Sequence, residues 1–199
     1  MPATQVRPDR TSEHPLRRDA RVNQERVLAA AVTVMLRHGR QVPMAAIAAE
    51  AGLGVGTLYR HYANRDALLE ALTQRSFELL VSIVREAEAR DATALSALSW
   101  WWDRVIEERD HLVLPLGGAP PTVGEVTADL RDQLHGCLQR ILDRGRCEGS
   151  IRRDLTVRDL VMFGAMLVTP LPGARDWTRV ARRQKSIYID GLAPARADG

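Results

Sequence analysis

Residues 44 to 72 read MAAIAAEAGLGVGTLYRHYANRDALLEAL, and the fold turns on how that stretch is parsed. An Ala-rich apolar segment carrying Met44, Ile47, Ala48 and Ala51 halts at Gly52. A second short segment runs from Val55 to Tyr62, and a third opens at Asn64. This punctuation predicts a helix, a tight turn, a second helix and then a long helix. Gly52 is expected to supply the turn and Gly54 to cap the second helix. Leu58 and Tyr62, four apart, share a face with Leu53 and can dock on Ile47 and Ala51. Thr57, Arg60 and His61 are expected on another face. They are hydrogen-bonding side chains with no acidic neighbour in the segment, which suits a face that meets phosphates and base edges.

Two other parsings fail. A helical hairpin that only packs explains Leu58 and Tyr62 but leaves Thr57, Arg60 and His61 without a reason to stand together. A dinucleotide loop is suggested by the alternating Gly52, Gly54 and Gly56. It lacks the third glycine of GxGxxG and follows an Ala-rich helix instead of a strand.

The segment IAAEAGLGVGTLYRHYANRDALL resembles the helix-turn-helix of the TetR family of bacterial transcriptional regulators. The turn Gly, the TLY triplet, Tyr62 and the NRDALL opening fall in register, and the likeness spans roughly 50 residues, about Arg21 to Ala71. Pro43 stands where the family usually has a capping Thr, and Gly54 and Val55 replace the more usual polar residues that open the recognition helix. The resemblance implies an all-α fold: an N-terminal three-helix head followed by a helical ligand-binding and dimerisation domain. It also implies DNA contacts from Val55, Gly56, Thr57, Tyr59, Arg60 and His61, with Arg65 at the usual basic phosphate contact and Arg60 a candidate for guanine. The implied partners are a palindromic double-stranded operator, a small apolar or aromatic effector, and a second copy joined through about 156–192. Repression relieved by the effector is the expected outcome, with the effector favouring the dimer whose heads are spread. No cofactor is expected.

Charge supports a DNA-binding end. Net charge is only +3, but residues 1 to 75 carry eleven Arg against seven acids, whereas 76 to 199 carry seventeen Arg or Lys against eighteen. The excess lies on the half with the helix-turn-helix. Only one Lys occurs, Lys185, which reads as compositional bias. At 45% hydrophobic and 27% charged residues the chain is ordinary for a globular protein. No apolar run reaches the roughly 20 residues of a membrane span and the N-terminus lacks a signal-peptide core, so a cytoplasmic protein without membrane contact is expected.

The order of elements follows from periodicity. Residues 1–20 hold three Pro and few apolar residues and are expected to be a disordered arm, from which Arg17, Arg18 and Arg21 could still reach DNA. The helix-turn-helix domain is placed at 21–65, opening with a helix from Asn23 to Gly39. The second domain is placed at 66–192, and 193–199 is a flexible tail. Asn64 caps a helix from about Arg65 to Ala89, long enough to carry a change from one domain into the other. Leu95, Leu98, Trp102, Val105 and Ile106 mark the next, and HLVLPLGGAPP reads as a loop or short helix. Thr122 with Glu125 is expected as a capping box for a long helix faced by Val126, Leu130, Leu134, Cys137, Leu138, Ile141 and Gly145. Thr156 with Asp159 opens a helix to about 169. Trp177, Val180, Gln184, Ile187, Tyr188 and Gly191 stripe the last one, about 175 to 192.

Chemistry is sparse. His14, His38, His61, His111 and His135 lack metal-ligand spacing, and no nucleophile elbow, P-loop or CxxC occurs, so an enzyme is not expected. Cys137 and Cys147 are ten apart in one predicted helix, which argues against a disulfide or metal pair. The consecutive Trp100, Trp101 and Trp102 span about 200° of helix surface and cannot all face one neighbour. With Phe77, His111, Leu114, Cys137, Met162 and Met166 they are taken as candidate pocket residues. Two alternatives stay open: a regulator with no effector, whose Trp cluster is solid core, and a helical small-molecule-binding protein with a non-functional DNA head. Quenching of Trp fluorescence by apolar compounds separates them.

Overall fold

The computed structural model describes residues 15–39, 41–113, 124–171 and 173–194, with side chains from Val22 onward. Among these residues every regular element is helical: α1 (Pro15–His38), α2 (Met44–Glu50), α3 (Val55–His61), α4 (Arg65–Ala89), α5 (Ala94–Glu107), a 3-10 turn (Arg109–His111), α6 (Glu125–Cys147), α7 (Val157–Leu167) and α8 (Trp177–Gly191). The chain divides after Ala63 into two compact units.

In the first unit α1 packs on α2, and α2 on α3. Val27, Leu28, Ala31, Val34 and Met35 of α1 are buried, as are Ile47, Ala48, Leu58 and Tyr62. The onset of α1 corrects the sequence expectation. It begins at Pro15, so residues 15–20 are helical and the expected disordered arm survives only as a statement about 1–14, which lie outside the described residues. Pro suits the first helical position, and Leu, Arg and Ala propagate a helix once the packed segment downstream has nucleated it.

The second unit is built around α5, which packs on α4, α6, α7 and α8, while α4 and α6 form the longest contact. Its core runs from Leu80 and Val84 of α4 through Leu98, Trp102 and Ile106 of α5 to Leu138, Ile141 and Leu142 of α6 and Leu160 of α7. Asn64 caps α4 by accepting the Ala67 N–H at 2.8 Å, and the capping box of Thr156 and Asp159 opens α7. The box expected for α6 falls on Thr122. The helix starts at Glu125 with Gly124 as N-cap and no side-chain cap of its own, and Thr122 lies outside the described residues. Glu70 of α4 substitutes: its Oε1 accepts the Gly124 N–H at 2.9 Å and the Thr127 hydroxyl at 2.7 Å. A carboxylate at a helix N-terminus also answers the helix dipole. Val126, expected on the buried face, is exposed one residue into the helix.

Lys185 is not a passive surface residue. Its ammonium meets Asp103 Oδ2 at 2.7 Å and Ser99 Oγ at 3.0 Å, tying α8 to α5. At the α6–α7 turn Gly149 takes φ +65°, and the Ile151 side chain lies against Gly145, whose missing Cβ leaves room for it and for Ala94.

Candidate nucleic-acid interface

Backbone geometry fixes how α3 is presented. Gly52 adopts φ +65°, a left-handed value that costs glycine nothing, and the Leu53 N–H closes back on the Ala48 carbonyl at 2.9 Å. Arg26 of α1 donates from Nη2 to the Ala51 carbonyl at 2.8 Å, satisfying an acceptor that the end of α2 would otherwise leave open. Gly54 then serves as N-cap in extended geometry, its carbonyl accepting from Thr57 and Leu58. With Leu58 fully buried and Tyr62 nearly so, the opposite side of α3 is set. Val55, Gly56, Tyr59 and Arg60 are exposed, whereas Thr57 and His61 are half-buried on its flank. The free face is therefore rotated from the Thr57, Arg60, His61 face expected from spacing, because Thr57 directly precedes buried Leu58 and His61 lies one turn after it, so both are drawn partly inward. No acid occurs in α3, and Glu50 at the end of α2 is engaged by Arg37 at 3.5 Å. Arg65 is the first residue of α4 and half-buried.

The candidate pocket residues that are described occupy different surroundings. Trp101 and Trp102 are core, their rings 5.6 Å apart, with Trp102 edge-on to Phe163 at 5.2 Å and to Tyr188 at 5.5 Å. Trp100 is half-buried, with the Arg90 guanidinium 4.8 Å above its ring. Phe77 packs partly buried on the core, and Cys137 is buried, its thiol pushed up from the ordinary range chiefly by that burial. Cys137 and Cys147 are both free thiols. His111 is exposed in the 3-10 turn, Met162 and Met166 are exposed on α7, and Leu114 lies outside the described residues. An open groove of about 530 Å³ does run between α6 and α7, lined by His135, Gly136, Gln139, Val157, Arg158, Val161 and Met162. Burial, and secondarily Arg131, pushes the His135 imidazole below its usual range. No cluster of three metal-ligating side chains occurs among the described residues.

Comparison with known proteins agrees with this head. The family model described as "Bacterial regulatory proteins, tetR family" matches residues 27–72, which take in the packed part of α1, α2, the turn, α3 and the start of α4. The DNA-binding head is thus of the TetR type. A TetR transcriptional regulator from Streptomyces coelicolor is 29% identical, covering 87% of this chain and 99% of its own, with a TM-score of 0.57. A TetR regulatory protein from Mycobacterium vanbaalenii is 26% identical over 90% of this chain and 100% of its own, at 0.62. The regulator FadR from Bacillus subtilis, solved in complex with stearoyl-CoA, shares the fold at 20% identity, covering 84% and 98%, with a TM-score of 0.64. No curated protein matches the sequence significantly.

This TetR-type head, with α2 and α3 as its helix-turn-helix, makes the chain similar to DNA-binding transcriptional regulators. Among the described residues no helix is long and apolar enough to cross a membrane. Sequence reasoning missed Arg26, which holds the turn from 25 positions away, and read Lys185 as composition alone. Neither carries a local signal, since each is defined by a partner distant in the chain.

Proposed function

We propose that this chain is a homodimeric, effector-responsive repressor that reads a palindromic operator with one α3 per half-site. The observation that carries the dimer is a second apolar stripe on each of the last two helices. On α7 the core takes Leu160, Phe163 and Leu167, yet Met162 and Met166 stand 50% and 59% exposed. On α8 the core takes Ala181 and half of Trp177, Lys185 and Tyr188, while Ile187 is 50% exposed with half-buried Val180 on its side of the helix. Two such stripes suit a four-helix bundle made with their copies through about 156–192. A two-fold axis then sets two recognition helices about 34–36 Å apart, one turn of DNA. Thr57, Tyr59, His61 and Arg65 contribute mainly phosphate contacts, and Arg60, exposed and without an acidic neighbour in α3, reads guanine.

The effector clause rests on two indole N–H groups. Trp101 and Trp102 Nε1 are both buried without a hydrogen-bond partner, and an unmade buried bond costs about 1–3 kcal/mol. A small apolar or aromatic ligand with an acceptor would satisfy them by parting the core in which both rings pack. FadR from Bacillus subtilis, of the same fold, holds a molecule with a long apolar chain. Binding that favours the DNA-free dimer lowers operator affinity, and operator lowers effector affinity by the same factor.

The test is retardation of DNA from the gene's own upstream region at near-physiological salt with competitor DNA, by wild type and Arg60→Ala. Specific retardation weakened about tenfold or more by the substitution is expected, since a bidentate base contact is worth about 1–3 kcal/mol. Binding that ignores sequence sinks the operator reading, and specific binding indifferent to Arg60→Ala removes Arg60 from the contacts. Apolar compounds that quench Trp emission and release the DNA would establish the effector.

A further inference from the structure

The first turn of α3 is chemically bare except for one side chain. Val55 is 41% exposed and flanked by Gly54 and Gly56. A Cβ built on Gly56 meets nothing within 4 Å, and one built on Gly54 only touches Thr57 Oγ1 at 4.0 Å. Val55 is therefore an isolated isopropyl knob. One turn on, Tyr59 is 48% exposed on the same side, and Arg60 follows. Among the described residues this apolar pair stays about half open, whereas Leu58 on the opposite side is fully buried. The backbone beside Val55 carries no bulk to hold the helix off a groove floor.

On a DNA-reading face an apolar knob has one chemical counterpart. Base edges in the major groove offer donors and acceptors throughout, with a single apolar feature, the thymine C5-methyl group. Valine cannot form a hydrogen bond, so setting it against guanine, adenine or cytosine edges would leave their polar atoms dehydrated and unpaired, a cost that discriminates against those bases. We infer that Val55 is a specificity-determining residue that selects a T·A pair in each operator half-site by packing on the thymine methyl. This rests on the operator reading above and adds to it the identity of one base. Arg60 supplies the polar part of the same reading, so each half-site pairs one thymine set by shape with one guanine set by hydrogen bonds.

The experiment is selection of binding sites from random duplex DNA by the full-length protein, followed by titration of the enriched site with thymine replaced by uracil at each position in turn. Loss of one methyl contact is worth about 0.8 kcal/mol, or about fourfold in affinity. Wild type is expected to lose about fourfold per half-site at one thymine. Val55→Ala is expected to bind the thymine site more weakly and to be insensitive to uracil there, while its melting temperature stays unchanged because the side chain is exposed. Val55→Lys is expected to move the preferred base at that position to guanine, whose O6 and N7 accept. An enriched site indifferent to uracil overturns this inference alone. So does a uracil penalty that persists undiminished in Val55→Ala, which would assign the methyl to Tyr59. Failure to enrich any site overturns the operator reading and this inference with it.

Discussion

Gly52 shows how much of the DNA-binding head rests on single positions. Its φ of +65° is a conformation that a side chain resists, and a Cβ there would lie 3.1 Å from Arg26 Nη2, the group that holds the Ala51 carbonyl. Gly52→Ala combines left-handed strain of about 1–2 kcal/mol with displacement of that guanidinium. Chemical denaturation is expected to show a loss of at least that size, and operator affinity should fall too because α3 is presented through this turn. A neutral Gly52→Ala would mean that the turn relaxes without α3 moving. At this scale the sequence was legible where chemistry is local: the turn Gly, the Gly54 cap and the Asn64 cap follow from backbone preference. It was silent on Arg26 and Lys185, because what they do is fixed by Ala51 and Asp103, residues that only folding brings near.

The elements themselves were largely written in periodicity, and the departures occur where one helix completes another. Glu70 of α4 caps α6, and Glu148 at the end of α6 accepts the Ala94 N–H at 3.0 Å at the start of α5. No local pattern encodes such exchanges. The same exchange has a pH signature. The Glu148 carboxyl is held below the usual carboxylate range, first by the Ala94 N–H and further by the Ser150 hydroxyl and Arg144, with burial opposing. A folded-state value below the unfolded one stabilises above the unfolded pKa, about 4.3, and the gain disappears as pH falls through the folded value. Glu148→Gln is therefore expected to lower the denaturation midpoint at pH 7, with the two proteins converging as pH drops below about 4. Parallel curves across that range would remove the carboxylate from the stability of the α5 and α6 ends. The last helix carries the same lesson in packing terms. Of its expected stripe of Trp177, Val180, Gln184, Ile187, Tyr188 and Gly191, the core takes Trp177 and Tyr188 beside Ala181, while Gln184, Ile187 and Gly191 are exposed. Periodicity reports that a face is apolar and does not say which of two faces meets its own chain.

For the whole molecule, that surplus of faces is the argument for a second copy. Met162 and Met166 are one turn apart on α7, Ile187 stands exposed on α8, and α7 and α8 pack on each other within the same unit. Fully burying a Met side chain is worth about 1.5–3 kcal/mol, and a two-fold interface counts each residue twice. Met166→Asp removes that gain on both copies and sets two carboxylates into an apolar seam. Its dimer dissociation constant should rise by at least about 100-fold, the equivalent of about 3 kcal/mol at 1.4 kcal/mol per tenfold. Light scattering across a dilution series is expected to find wild type as a dimer and the variant as a folded monomer with the same helical circular dichroism, because Met166 lies outside the core. Loss of the dimer should cost most of the affinity for a full palindrome while leaving half-site binding as weak as it was, since linking two heads is what multiplies two modest contacts into one specific one. A variant that stays dimeric at low micromolar concentration would place the two-fold contact on another surface and free the α7 stripe for a different partner.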